Sequence, residues 1–139
     1  MNLSITTTDN ITEILDKIIK FTERRDKLLN RNIKNIDVSG YIPKDLDIEV
    51  FAKLMSYARS EHIRNDRLVL QDTENIRFGQ CGNFESLPMV DEYAMHLLST
   101  DRSGYMEFQI QKLSENMINN SVAVELLEHK HGERASLSG

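Results

Sequence analysis

Neither Gly nor Pro occurs in this chain before residue 40, and across that span apolar residues recur at helical spacing. Ile11, Ile14, Ile18, Phe21, Arg25, Leu28, Asn32 and Asn35 alternate steps of three and four, which draws one stripe along a helix. Near the other end Met106, Ile110, Leu113, Met117, Asn120, Val124 and Leu127 repeat the pattern in steps of four and three. A stripe of this kind has to be covered by another helix. The spacing therefore predicts two long terminal helices, over about 11–36 and 105–130, each roughly 39 Å long at 1.5 Å per residue. It leaves open whether they cover each other, copies of themselves, or both.

Charge favours the first option. Between Glu13 and Lys34 there are seven Lys/Arg against four Asp/Glu, whereas between Glu107 and Lys130 there are two Lys against four Glu. Helices of opposite sign are favourable neighbours, although an exposed pair contributes only about 0–1 kcal/mol. The net charge of −5 argues against nucleic-acid binding, which needs a basic footprint. With 40% apolar residues, 6% aromatics and no Trp, a 139-residue chain has a thin core, so some apolar surface is left for partners.

The remaining segments follow from breakers and caps. Residues 1–10 read as a flexible lead, with Asn10 and Glu13 resembling a capping box. Gly40 and Pro43 end the first helix. A second, shorter helix is expected over 45–60, capped by Asp45 or Asp47, with Ile48, Phe51, Ala52, Met55 and Ala58 on one face. Gly79, Gly82 and Pro88 mark turns, Leu68-Val69-Leu70 fits a strand or an extended loop, and 89–98 fits a short helix. The last helix opens after Gly104 and closes near Gly132, leaving a polar tail over 132–139. The fold class is mainly α: a discontinuous antiparallel helical coiled-coil domain from 11–43 and 105–131, with an irregular middle segment, 44–104, that carries a short helix and a β-hairpin or extended loops.

Chemistry-bearing constellations are sparse. Cys81 is the single cysteine, so there is no intrachain disulfide and no thiolate zinc cluster. His129 and His131 stand two apart and cannot share a helical face, which reads as a solvated tail. His62 and His96 have no carboxylate at a useful spacing, and no phosphate loop, nucleophile elbow or metal motif is present. An enzyme built on His62 or Cys81 has no candidate mechanism. No catalytic or metal-ligating residue and no cofactor is assigned. No stretch spans a bilayer, and the polar N-terminus lacks the basic and apolar regions of a secretory signal.

The sharpest local signal closes the first helix: Asn32-Ile33-Lys34-Asn35-Ile36-Asp37-Val38-Ser39-Gly40-Tyr41. An amide at a seam position can bond a partner helix and set register at some cost in stability. This stretch resembles N-x-A-N-x-x-T-P-G-Y/F, the mark of the bacterial flagellar axial proteins of rod and hook. Asn32, Asn35, Gly40 and Tyr41 match it, with Lys34 for Ala and Val38-Ser39 for Thr-Pro. Met106-Glu107, Gln109 and Lys112-Leu113-Ser114-Glu115-Asn116 are similar to the closing helix of the shortest members, the proximal rod proteins. There, Asn120-Ser121 stands where an aromatic is usual, and Arg102-Ser103-Gly104-Tyr105 replaces an Asp-Gly-Asn loop. Ser60 to Ile63 is similar to a Thr-x-x-His-Ile/Leu stretch of the same family.

The resemblance covers about 31 residues at the start and 22 at the end. It implies a structural subunit of the flagellar basal-body rod, in the periplasm, that polymerises through its terminal helices and transmits torque. Export would run through the flagellar type III apparatus without a cleaved signal. Partners would be further copies in a helical assembly, other rod proteins and the rod–MS-ring junction protein, with no lipid insertion. The helix and subunit interface would use Ile11, Ile14, Ile18, Phe21, Arg25, Leu28, Met106, Ile110, Leu113, Met117, Val124 and Leu127, with Arg25 meeting Glu115 or Glu125. The alternative is a soluble helical binding module, an export chaperone or regulatory adaptor that lays the same seams on a client.

Overall fold

A computed structural model describes the backbone of residues 3–79 and 83–138, and the side chains of residues 10–79 and 83–132. The protein is mainly α. Helix α1 spans Leu3–Lys34, α2 Ile48–Asn65, α3 Glu92–Thr100 and α4 Arg102–Ser138. Four two-residue strands lie between them: β1 at Lys44–Asp45, β2 at Ile76–Arg77, β3 at Glu85–Ser86 and β4 at Met89–Val90. β1 pairs antiparallel with β4, Lys44 opposite Val90, and β2 pairs antiparallel with β3, Ile76 opposite Ser86. α1 and α4 run antiparallel and make the most extensive contact between any two elements.

Both terminal helices are longer than expected. α1 starts at Leu3, so Asn10 is inside the helix rather than capping it, and its Nδ2 lies 3.3 Å from His62 Nδ1 at the end of α2. No residue ahead of Asn10 breaks a helix. α4 begins at Arg102, because Asp101 caps it by accepting the Gly104 amide at 3.0 Å. Gly104 is therefore within the first turn, and Gly132 does not end the helix, which continues to Ser138. One glycine in a helix costs only about 1 kcal/mol and need not stop it. The expected flexible lead and tail thus carry helical backbone from residue 3 and up to 138.

Capping also settles the middle helices. Asp47, not Asp45, caps α2, and Asp91 caps α3 by accepting the Ala94 amide, so Met89 and Val90 fall outside that helix. Leu68-Val69-Leu70 is half-buried and irregular. On α2 the buried face is Phe51, Leu54, Met55 and Ala58, while Ala52 is exposed.

The core lies where the terminal stripes did not place it. Ile14, Phe21 and Leu28 of α1 pack with Phe51, Leu54 and Met55 of α2 and with Ile76, Phe78 and Phe84 of the β2–β3 hairpin. Phe21 stacks on Phe51 at 3.9 Å between ring centres, and Phe84 bridges Phe51 and Phe78 at 6.2 and 5.4 Å. Arg24 covers Phe84 from outside, 4.9 Å from its ring centre. The apolar stripe of α1 is thus closed chiefly by the middle segment. α4 meets a neighbouring row that includes Leu15 and Thr22.

Candidate functional site: an amide seam between the terminal helices

Asn32 sits at the centre of this seam and is fully buried. Its Nδ2 donates to the Lys44 carbonyl at 2.8 Å and to Gln109 Oε1 at 3.1 Å. Its Oδ1 accepts from the Tyr41 hydroxyl at 2.8 Å and from the Lys44 amide at 3.3 Å. Its own carbonyl accepts the Tyr105 hydroxyl at 2.9 Å. One side chain and its carbonyl thereby join α1, the turn, β1 and α4. Asn35, in contrast, donates back to the Arg31 carbonyl of its own helix. Gly40 has φ +75°, the left-handed region that brings the chain round, so that Tyr41 faces Asn32.

Two turns along, Asn116 donates to the Thr22 carbonyl at 2.7 Å and Asn120 to Thr22 Oγ1 at 2.9 Å. Thr22 can accept there because its own hydroxyl proton goes to the Ile18 carbonyl at 2.8 Å. Ala123, also buried, lets the backbones approach at the far end. Gln109 Nε2 and Asn116 Oδ1 have no hydrogen-bond partner among the described residues. A seam of incompletely satisfied amides is weaker than an apolar one, and its physical value is to fix register.

Beside Asn32 is a buried charge network. Arg25 grips Asp45 with two parallel bonds, Nε to Oδ1 at 2.9 Å and Nη2 to Oδ2 at 3.0 Å. Lys112 of α4 bridges Asp45 and Asp91 at 2.7 and 2.5 Å. Burial works to raise the Asp45 carboxyl, but Arg25 and Lys112 together hold it below the usual carboxylate range. Burial pushes the Tyr105 phenol up to about 12, with Tyr41 and Asp91 adding to it. Arg25 therefore meets neither Glu115 nor Glu125, because the closer acid belongs to β1 and the fork geometry fits it. Each helix thus brings a cation to Asp45, and among the described residues no ion pair joins α1 directly to α4, so the expected attraction of opposite helix charges is not what holds them together. At the turn, Arg102 bonds Asp37 and the Ile36 carbonyl.

The expected interface residues separate into groups. Ile14, Phe21, Arg25 and Leu28 are buried; Ile11, Ile18, Met106, Leu113, Val124 and Leu127 are half-buried. Ile110 and Met117 are exposed, at 52% and 57%, with Met117 at the rim of the contact beside Thr22, Glu23, Asp26 and Lys27 of α1. The face of α4 turned inward is Tyr105, Gln109, Lys112, Asn116 and Ala123, one residue earlier in the same periodicity, joined by Asn120 of the expected row. Of the motif residues, Asn116 is buried and Glu115 exposed. Thr22, Asp45, Asp91, Tyr105, Gln109 and Lys112 are the members that sequence reasoning missed.

Among the described residues no group of three or more His, Cys, Asp or Glu could hold a metal ion, and no helix is long and apolar enough to cross a membrane. Cys81 lies outside the described residues. Compared with protein-family models, with curated proteins and with solved structures, the chain has no match in any of the three.

Proposed function

We propose that the protein is a structural subunit of the bacterial flagellar proximal rod, polymerising through its terminal helices to carry torque. The supporting observation is the division of labour on α4. Its polar face is used within the chain, while Ile110, Met117, Ile118, Val122 and Leu126 stand 50–61% exposed. Apolar side chains exposed in this number ask for a neighbour. The turn from Asn32 to Tyr41, in which the motif residues Asn32, Gly40 and Tyr41 build the joint that docks α4, supports the same reading. Other rod proteins, the rod–MS-ring junction protein and the type III export apparatus are the partners it implies.

The test is deletion of 1–36 or of 105–139, scoring motility and incorporation into purified basal bodies. Both are expected to be lost; normal motility with either deletion overturns the assignment.

A groove of about 360 Å³ between α1, α2 and α4 favours a second reading, a soluble binding module. It is lined by Leu15, Ile18, Phe51, Met55, Val122 and Leu126 and would suit an amphipathic helix of a client. Such a module would remain a discrete small oligomer at any concentration, whereas a rod subunit grows open-ended assemblies.

A further inference from the structure

The outward surfaces of the two terminal helices differ in chemistry. On α1, Lys27, Arg31 and Lys34 follow steps of four and three, all exposed. They line a shallow depression of about 430 Å³ together with Asp26 and Asn30. None of the three cations has an ion-pair partner among the described residues, unlike Lys17, Lys20 and Arg25 earlier on the same helix. On α4, Glu115, Ile118, Val122 and Glu125 follow steps of three, four and three, with Leu126 beside them. Ile118 is 61% exposed, and Val122 and Leu126, at 51% and 50%, stand at the rim of the groove that α4 forms with α1 and α2. Glu115 and Glu125 are exposed and have no cation partner among the described residues.

We infer that this acid-flanked apolar stripe of α4 packs lengthwise on the basic stripe of α1 in a second copy of the chain. The inference rests on the reading of the protein as a self-assembling subunit. The dimensions agree: Lys27 to Lys34 rises about 10.5 Å and Glu115 to Glu125 about 15 Å, so the cations fit between the two carboxylates. The aliphatic stems of Lys27, Arg31 and Lys34 cover Ile118 and Val122, while their charged ends reach Glu115 and Glu125. A symmetric α4-on-α4 contact would instead set glutamates against glutamates. Because the two surfaces lie on different helices, each copy keeps one of each kind free, and the contact repeats head-to-tail, into a ring or an open filament according to the rotation between copies.

The experiment is sedimentation velocity on the purified full chain across a concentration series, with circular dichroism to verify folding. Wild type is expected to self-associate, and less so at high salt, since exposed charges are screened. The triple variant K27E/R31E/K34E and the double variant E115K/E125K should each raise the dissociation constant about tenfold or more. Mixed one to one, they should co-assemble, because the acidic α1 of one fits the basic α4 of the other. Reversal of Glu49 and Glu85, exposed acids off the stripe, should leave association unchanged. A monomeric wild type, reversal variants that assemble like wild type, or folded variants that fail to co-assemble would each overturn the pairing. If the reversals abolish self-association in solution yet leave motility intact, the pairing stands and the rod assignment falls. If they do nothing while the terminal deletions abolish motility, the opposite holds.

Discussion

Asn32 accepts two hydrogen bonds and donates two from a fully buried position, which makes it the side chain with most to lose. Asn32→Ala strands the Tyr41 hydroxyl and the Lys44 backbone, and should cost about 2–4 kcal/mol in urea unfolding. Asn32→Asp should cost more, since a carboxylate cannot donate to the Lys44 carbonyl or to Gln109. A smaller loss for Asp than for Ala would contradict the bonding described. Asp45 makes a prediction about acid. Its carboxyl is held below the unfolded value near 3.9, so its contribution is complete above that pH and lost as pH falls through the folded value. Asp45→Asn should destabilise at neutral pH by roughly 3 kcal/mol, leaving Arg25 buried without its counter-charge, and should flatten the loss of stability in acid below about pH 4. An unaltered acid limb would exclude Asp45 as its source. Tyr105 has the opposite sign. Its phenol is raised to about 12, so its contribution is complete below about pH 10 and lost as pH climbs towards 12. Tyr105→Phe should remove that alkaline loss, read as unfolding followed by circular dichroism against pH, at a cost of about 1 kcal/mol.

At the level of elements, α4 carries two faces that substitution can tell apart. Ala123→Leu intrudes where the backbones approach and should destabilise the monomer by about 1–3 kcal/mol. Ile110→Ser and Met117→Ser should change it by no more than about 0.5 kcal/mol, because both side chains are already more than half exposed. Thermal unfolding of the three variants decides the matter, and a larger loss at Met117 than at Ala123 would reverse the assignment of faces. The helices themselves were legible in sequence, since spacing and the lack of breakers do not depend on partners. Which face α4 turns inward was not. Apolar periodicity points to Ile110 and Met117, but the row one residue earlier, from Tyr105 through Gln109 and Asn116 to Ala123, has the same period in polar and small residues. Hydrophobicity alone cannot detect an amide seam. Asn32 was visible as a seam amide because it continues the stripe of Ile14, Ile18, Phe21 and Leu28 at helical spacing. Asp45 and Asp91 were not, because their partners are distant in sequence and brought together only by the β1–β4 pair.

Across the whole molecule the anchoring is uneven. On α1 the aromatic core, the amide seam and the Arg25–Asp45–Lys112–Asp91 network all take hold between Phe21 and Asn32, and on α4 the seam and the network do so between Tyr105 and Ala123. Beyond Ala123 the α4 backbone continues to Ser138, although no further side chain described there is fully buried. Helical segments held by local bonds alone are marginal in water, and such regions open at far lower free energy than the global transition. Amide hydrogen exchange on the dilute protein should therefore be slowest over 21–32 and 105–123, and should quicken steadily along α4 past Leu127. Uniform protection to the end of α4 would mean that its outer portion has cover of its own. If α4 docks on a second copy through Glu115 to Leu126, raising the concentration into the self-associating range should slow exchange first over 115–126. Protection that appeared instead around α3 or the β2–β3 hairpin would move the contact to another face.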